Sequence, residues 1–434
     1  MHSVCKTLQL SLSPQKLCKC FRSALKNEPN LVFKRSVTIL GIETSCDDTG
    51  CAIVNNEGHI LGESLHSQQE IHLEHGGIIP PVARDLHKAA IQNVVKKALD
   101  AANMKIADVD AIATTLKPGL PLSLIIGMQY GKHLSKISKK PFIPIHHMEA
   151  HALTIRMVEQ VEFPFLVLLI SGGHCLLAVA QSATHFQLIG QSRDDAPGEV
   201  LDKAARRLKL RNILEFRSMS GGQAIELAAS RGNPKAYEFG IPMRTYRNCD
   251  FSFSGFKNSI HRITMAEEKK YEVTGGQTIP KPVLYDVCAS LQHSIAIHIC
   301  HRVQRAIEYA NLKQLIPPNR RNLVISGGVA CNKYIKRAVG VVCREMDYSV
   351  RVPPPHLCTD NGIMIAWNGM ERWRVQDGIY QHDNLDCLDI QARCPLGQDL
   401  SEDVSKSEIK CKWISLSELY ADNVTETLVD AVKT

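Results

Sequence analysis

The sequence predicts an α/β protein built as a duplicated, two-lobed fold around a central cleft. Three observations lead there. Apolar β-rich runs alternate with helical stretches, the order of elements in the first half recurs in the second, and glycine-rich turns fall at matching strand ends. With 434 residues, 44% of them apolar and 22% charged, the chain can bury a sizeable core in two or three domains. No apolar run approaches the ~18 residues that cross a bilayer, so no membrane span is expected.

Taken in order, residues 37–42 form a β-branched apolar run. A polar turn leads to 51–54, and Asn55-Asn56-Glu57-Gly58 turns the chain into 60–65, completing a three-strand meander. Ile91, Val94, Val95, Ala98 and Leu99 share one face of an amphipathic helix. A strand at 111–115, a helix at 122–134 and a strand at 142–145 complete the half. The second half repeats the series, with strands at 165–170, 175–180 and 186–189, then 323–325, a helix, 350–352 and an apolar helix through Trp367. Leu61-Gly62-Glu63-Ser64 and Ile189-Gly190-Gln191-Ser192 are matching strand ends 128 residues apart. An Arg-, Gly- and Ser-rich insertion at about 210–285 interrupts the second half. A period this long marks a duplicated domain rather than a solenoid. The expected division is a leader at 1–35, an N-terminal lobe at 36–158, a C-terminal lobe at 159–397 and a C-terminal extension at 398–434.

The net charge of +7 lies almost wholly in the leader, where Lys6, Lys16, Lys19, Arg22, Lys26, Lys34 and Arg35 face the single acid Glu28. The rest is near neutral, so net charge gives no argument for a polyanionic partner. A basic, Ser/Leu-rich, acid-poor leader without a long apolar stretch has the composition of a mitochondrial transit peptide. The 15 cysteines are an odd number and include no C-x-x-C, which argues against a thiolate zinc ribbon or a thioredoxin-like centre.

His147-Met148-Glu149-Ala150-His151 begins where a strand ends. On a helix, His147 and His151 face the same way and suit one metal ion, although surface helices also carry such pairs. A zinc protease of the H-E-x-x-H type is excluded because Met148 stands where the general-base glutamate belongs. The matching element of the second half holds Thr359-Asp360-Asn361-Gly362. Corresponding ends of a pseudo-symmetric fold face each other, which brings Asp360 toward the histidines. Two histidines and a carboxylate fit iron(II) or catalytic zinc; a helix cap is the alternative for Asp360.

Ser171-Gly172-Gly173-His174 and Ser326-Gly327-Gly328 each follow an apolar strand, where glycine exposes backbone N–H groups to a phosphate. Asp47, in the turn after the first strand, is a candidate proton acceptor or an ordinary turn aspartate. Asp202 and Glu226 are carboxylates able to bind ribose hydroxyls or, by their residue type alone, ordinary surface groups, and no Walker-type phosphate loop is present.

The strings GIETSCDDT (41–49), PGL (118–120), HHMEAH (146–151), LISGGH (169–174), DFSFSG (250–255), SGGVACN (326–332) and CTDNG (358–362) occur together and in this order. The set resembles the universal tRNA threonylcarbamoyladenosine transferases, formerly called O-sialoglycoprotein endopeptidases, and with the leader it is most similar to their mitochondrial branch. The resemblance covers about 36–397. It implies a fold of the actin/sugar-kinase/chaperone type. The implied activity is transfer of threonylcarbamoyl from threonylcarbamoyl-adenylate to N6 of the adenosine beside the anticodon, in mitochondrial tRNAs reading codons that begin with A. It also implies a separate enzyme supplying the adenylate, and a homodimer. His147, His151 and Asp360 match the family's ligands for one divalent ion per subunit, zinc or iron(II). Leu169, Ile170, Ser171, Gly172, Gly173, Asp202, Gly222, Glu226 and Asn332 match its adenylate site, and Cys331 and Thr359 flank matched residues. The chain departs from the family pattern at Pro81, Arg84, Gln223 and Phe256, none of them a proposed ligand.

Two other functions share this fold class: a small-molecule kinase using Asp47 or Asp202 near nucleotide, and a chaperone-like nucleotide switch. For tRNA, Arg206 and Arg207 with Arg231, Lys235, Arg244, Arg247 and Lys257 of the insertion offer either a phosphate-contacting face or an ordinary solvated basic one.

Overall fold

A computed structural model describes residues 36–75 and 77–419. The leader expected at 1–35 lies outside the described residues. The first sheet comprises β1 (Thr38–Glu43), β2 (Asp48–Asn55), β3 (Ile60–Ser67), β4 (Ala111–Lys117) and β5 (Phe142–His146), in the order β3-β2-β1-β4-β5. The second holds β6 (Phe165–Ile170), β7 (Cys175–Ala180), β8 (Phe186–Gln191), β9 (Asn322–Ser326) and β10 (Ser349–Arg351). Its order, β10-β9-β6-β7-β8, repeats the first and is extended by β11 (Gln398–Asp399). In both sheets the meander is antiparallel and the two later strands join in parallel. The predicted α/β duplication is therefore present in the strand order itself.

The central strands β1 and β6 are buried along their whole length, as strands covered on both faces must be. One face of the first sheet carries α1 (Pro80–Ala101) and α2 (Pro121–Ser138), each opening with proline in its first turn. The matching glycines Gly62 and Gly190 serve close approaches. A Cβ on either would stand 2.3 Å from the Ala98 carbonyl oxygen or 2.2 Å from that of Cys249.

The helices that follow β5 and β10 change sides. α3 (His147–Leu153) puts Met148, Ala152 and Leu153 into a core with Phe165, Val167 and Leu169 of the second sheet. α9 (Gly362–Val375) buries Ile363, Met364, Ile365, Trp367 and Met370 against Ile39, Ala52, Val54 and Ala113 of the first. Each such side chain contributes roughly 1.5–3 kcal/mol on leaving water. The two helices are fastened together by a Glu149–Arg372 ion pair at 2.6 Å and a hydrogen bond of 3.1 Å from Trp367 Nε1 to the Leu153 carbonyl.

The second lobe holds more helix between β8 and β9 than composition suggests. The segment includes α4 (Pro197–Arg207), α5 (Gly221–Ala229), α6 (Ser254–Lys270) and the 32-residue α7 (Lys281–Leu312). Among the described residues α7 is the one helix with the length and hydropathy of a membrane span, and 78% of that stretch is buried in this lobe. It is buried nearly all round, polar side chains such as Gln292, His298, Arg302 and Arg305 included, so no one-sided apolar stripe marks it in the sequence. α8 (Lys333–Glu345) follows β9, capped by Asn332. Beyond β11, Trp413 stacks on His301 of α7 at 4.0 Å and Arg344 pairs with Glu418 at 2.6 Å, which holds the described part of the extension on the second lobe.

Candidate metal centre and adjoining cavity

β5 runs directly into α3, and His146 caps the junction by accepting a hydrogen bond from the Met148 N–H at 3.2 Å. His147 and His151, one turn apart, both lie buried and facing the start of α9. There Asn361 is the N-cap, accepting from the Met364 N–H at 2.8 Å. The cap alternative for Asp360 is thereby corrected: its neighbour fills that role, and the Asp360 carboxylate is free to turn to the histidines.

Asp360 Oδ1 lies 3.0 Å from His151 Nε2 and 3.5 Å from His147 Nε2. One ligand atom from each residue falls within a 4.8 Å circle, so this group can hold a metal ion. Its surroundings fit a cation. Glu43, the charged end of β1, lies 3.2 Å from His147 Nδ1, and the Ser45 hydroxyl lies 3.1 Å from the same nitrogen. A carboxylate accepting from Nδ1–H leaves the Nε2 lone pair directed at Asp360, the arrangement that orients a metal-binding histidine. Glu43 is itself fixed by the Thr115 hydroxyl at 2.6 Å and by the Ser45 N–H.

Burial opposes a charge on His147, but Glu43 and Asp360 on either side push its pKa up to about 10. Burial likewise opposes the Asp360 carboxylate, yet His147 and His151 hold its pKa well below the ordinary value. The pocket thus calls for positive charge, which protons or a metal ion can supply. Asp360 keeps 24% of its side chain open, leaving an approach from the cleft. His174 stands 6.3 Å from His147, its pKa lowered to about 4 by burial and then by that neighbour.

A cavity of about 330 Å³ adjoins this group at Thr359. Gly172, Asp202, Gly222, Glu226, Cys331, Asn332 and Thr359 of the predicted residues line it. Asp202 Oδ1 accepts from the Gly222 N–H at 3.0 Å, and burial raises its pKa. Glu226 Oε1 accepts from the Lys333 N–H at 2.8 Å, and Asn332 accepts from the Ile335 N–H at 2.9 Å. Nothing lies within 4 Å of a Cβ added at Gly172 or Gly173, so the backbone of that turn is open to a ligand.

Other predicted residues lie elsewhere. The side chains of Leu169 and Ile170 are packed in two different cores, which leaves only their backbone for a ligand. The Ser171 hydroxyl accepts from the His174 N–H at 3.1 Å, within its own turn. Asp47 lines a second cavity of about 390 Å³ with Asp48, Asp202 and Arg206. Sequence reading passed over Glu43 as a ligand-orienting group, and a lone carboxylate ending an apolar strand was the available signal. Gln69, which lines both cavities, carried none.

The DFSFSG string builds a joint. Asp194 accepts from the Ser252 and Ser254 hydroxyls at 2.6 and 2.7 Å and from the Phe253 N–H at 2.7 Å, anchoring the start of α6. Much of the basic face is ion-paired: Arg207 with Glu268, Arg231 with Glu215, Arg247 with Glu408 and Lys257 with Asp195.

Residues 59–367 match the sequence profile of the TsaD family, described as tRNA N6-adenosine threonylcarbamoyltransferase. The mitochondrial tRNA N6-adenosine threonylcarbamoyltransferase of Xenopus tropicalis is 50% identical over 378 residues, 87% of this chain and 92% of that one. The Homo sapiens counterpart is 48% identical over 396 residues, 91% and 94% of the two chains. A Wolbachia tRNA N6-adenosine threonylcarbamoyltransferase is 36% identical over 359 residues, 82% and 97%. Solved structures are more distant: a 2-hydroxyglutaryl-CoA dehydratase component from Acidaminococcus fermentans has a TM-score of 0.43 at 17% identity, covering 78% of this chain and 100% of that one.

Proposed function

The chain belongs to the tRNA N6-adenosine threonylcarbamoyltransferase family, and from that premise we propose how its residues divide the work. The enzyme transfers threonylcarbamoyl from threonylcarbamoyl-adenylate to N6 of the adenosine beside the anticodon of mitochondrial tRNA. Family membership sets the kinase and nucleotide-switch readings aside. The single observation that carries the site assignment is the convergence of His147, His151 and Asp360, the last of them next in sequence to Thr359, which lines the 330 Å³ cavity.

An aromatic exocyclic amine is a weak nucleophile, so the carbonyl it attacks must carry a good leaving group. In the adenylate that group is AMP: the N6–C bond forms, the C–O bond to phosphate breaks, and N6 gives up a proton. His147, His151 and Asp360 would hold one zinc or iron(II) ion per subunit, with Glu43 orienting His147. A bound ion supplies Lewis-acid polarisation and a fixed point for the donor. Gly172 offers its backbone N–H to the developing negative charge, while the Gly173 N–H turns back to the Ser171 hydroxyl. The amides and carboxylates of Asp202, Gly222, Glu226 and Asn332 seat the nucleotide, with Cys331 and Thr359 at its edge and the backbone of 169–171 beneath. Asp47 is the proton acceptor in this reading, facing the cleft from the neighbouring cavity.

The adenylate comes from a separate synthase, the working form is a homodimer, and the leader at 1–35 directs the chain to mitochondria. The lobes divide at 158/159, with an extension from 398. The test is mass spectrometry of nucleosides from an unmodified mitochondrial tRNA incubated with enzyme and threonylcarbamoyl-adenylate. Product formed by wild type and lost in both His147→Ala and Asp360→Ala is expected. Product retained in both variants removes the assigned centre.

A further inference from the structure

The turn Gly328–Cys331 and the short helix Pro355–Cys358 pack against each other and bring two thiols together. The Cys331 and Cys358 thiols are close enough to shift each other's acidity. Both sulfurs rest on the same three-proline turn: Cys358 Sγ donates to the Pro353 carbonyl at 3.2 Å, and Cys331 Sγ lies 4.0 Å from that of Pro355. Both line one cavity of about 470 Å³, together with Lys333 and Lys336.

The two thiols differ in access and environment. Cys358 is fully buried, whereas Cys331 is half-buried and also lines the adenylate cavity. Cys331 precedes the Asn332 cap of the 13-residue α8, where helix N–H groups and Lys336 favour a thiolate. Its pKa is drawn down to about 7, first by the Cys358 thiol beside it and against burial and the Glu226 carboxylate. By contrast, burial raises the thiols of Cys51, Cys175, Cys249, Cys288, Cys300 and Cys343.

We propose that Cys331 and Cys358 are a redox-modification site at which a hydroperoxide converts the pair into an intramolecular disulfide at the rim of the adenylate cavity. The Cys331 sulfur attacks the peroxide, the O–O bond breaks, and one water leaves as Cys331 becomes a sulfenic acid. The Cys358 sulfur then attacks that sulfur, the S–O bond breaks, and the S–S bond forms with loss of a second water. Two thiols and one hydrogen peroxide thus give one disulfide and two waters. The bond draws the sulfurs to about 2 Å. Because Cys358 directly precedes Thr359 and Asp360, and Cys331 precedes Asn332, the bridge shifts both borders of the cavity. This consequence for nucleotide binding rests on the function proposed above; the bridge itself does not.

The test treats the reduced full chain with hydrogen peroxide, digests it without reductant and maps the peptides by mass spectrometry. The expected result is a linked Cys331–Cys358 peptide, removed by dithiothreitol. In Cys358→Ser the sulfenic acid on Cys331 should persist and be trapped by dimedone. No linked peptide in wild type, or equal trapping in wild type and C358S, overturns the proposal. AMP affinity, measured by calorimetry, should fall several-fold on oxidation and return on reduction; an unchanged affinity overturns the coupling to the cavity. Failure of the reduced chain to bind AMP counts against the adenylate reading, and the peptide map still decides the bridge.

Discussion

The two halves of the duplication share a strand order but fill their first turns with opposite chemistry. From the last residue of β1 to the first of β2 the chain carries Glu43, Ser45, Asp47 and Asp48, and after β6 it carries Ser171, Gly172, Gly173 and His174. The first turn supplies fixed side-chain charge, with Glu43 buried against His147. The second supplies backbone, with two glycines that face open space. One scaffold element used twice thus gives a wall of side-chain charge and a wall of open backbone. The helices exchanged between sheets carry the histidines and Asp360 to the seam between those walls.

The contrast can be broken most strongly at the sheet beneath the first turn. A Cβ at Gly41 would stand 2.2 Å from the Ala366 nitrogen and 2.4 Å from the Gly362 carbonyl oxygen. Gly41→Ala should therefore lift α9 and destabilise the fold by about 3 kcal/mol, read as a lower chemical-denaturation midpoint. The second turn has room for the same methyl, so Gly172→Ala should leave the midpoint unmoved.

Next in size is the orienting carboxylate. Glu43→Gln should weaken metal binding by about 10–100-fold, measured by competition with a chelator. Affinity equal to wild type would reduce Glu43 to a packing role. On the opposite wall, Gly172→Val should weaken AMP binding about tenfold by covering the exposed N–H groups, with metal content unchanged. Loss of both together would mean that the walls do not act separately.

The smallest effect concerns Asp48, whose pKa burial raises to about 7. The folded form holds its proton more tightly than the unfolded chain, so its contribution is favourable at low pH and is lost as pH rises from about 4 through 7. Asp48→Asn should flatten that slope and stabilise the fold at pH 8 by on the order of 1 kcal/mol. A slope identical to wild type in a pH series of melts would remove Asp48 as its source.

Much of this was legible in the chain because it is written locally. The run FLVLLI (165–170) must be a covered strand, Gly62 and Gly190 mark matching ends, and histidines four apart share a helix face whatever the helix packs on. Periodicity and turn chemistry depend on neighbours in sequence, and so the duplicated α/β order and the pairing of His147 with His151 needed nothing else. The sequence could not say which sheet a helix covers. That α3 and α9 change sides follows from the fit of their apolar faces to the opposite sheets, a matter of packing between distant residues. The same distance hid Glu43 behind His147, left Asn361 and Asp360 to divide capping and ligation, and brought Cys331 to Cys358. The local pattern determined which groups were available, and tertiary packing alone decided which of them meet.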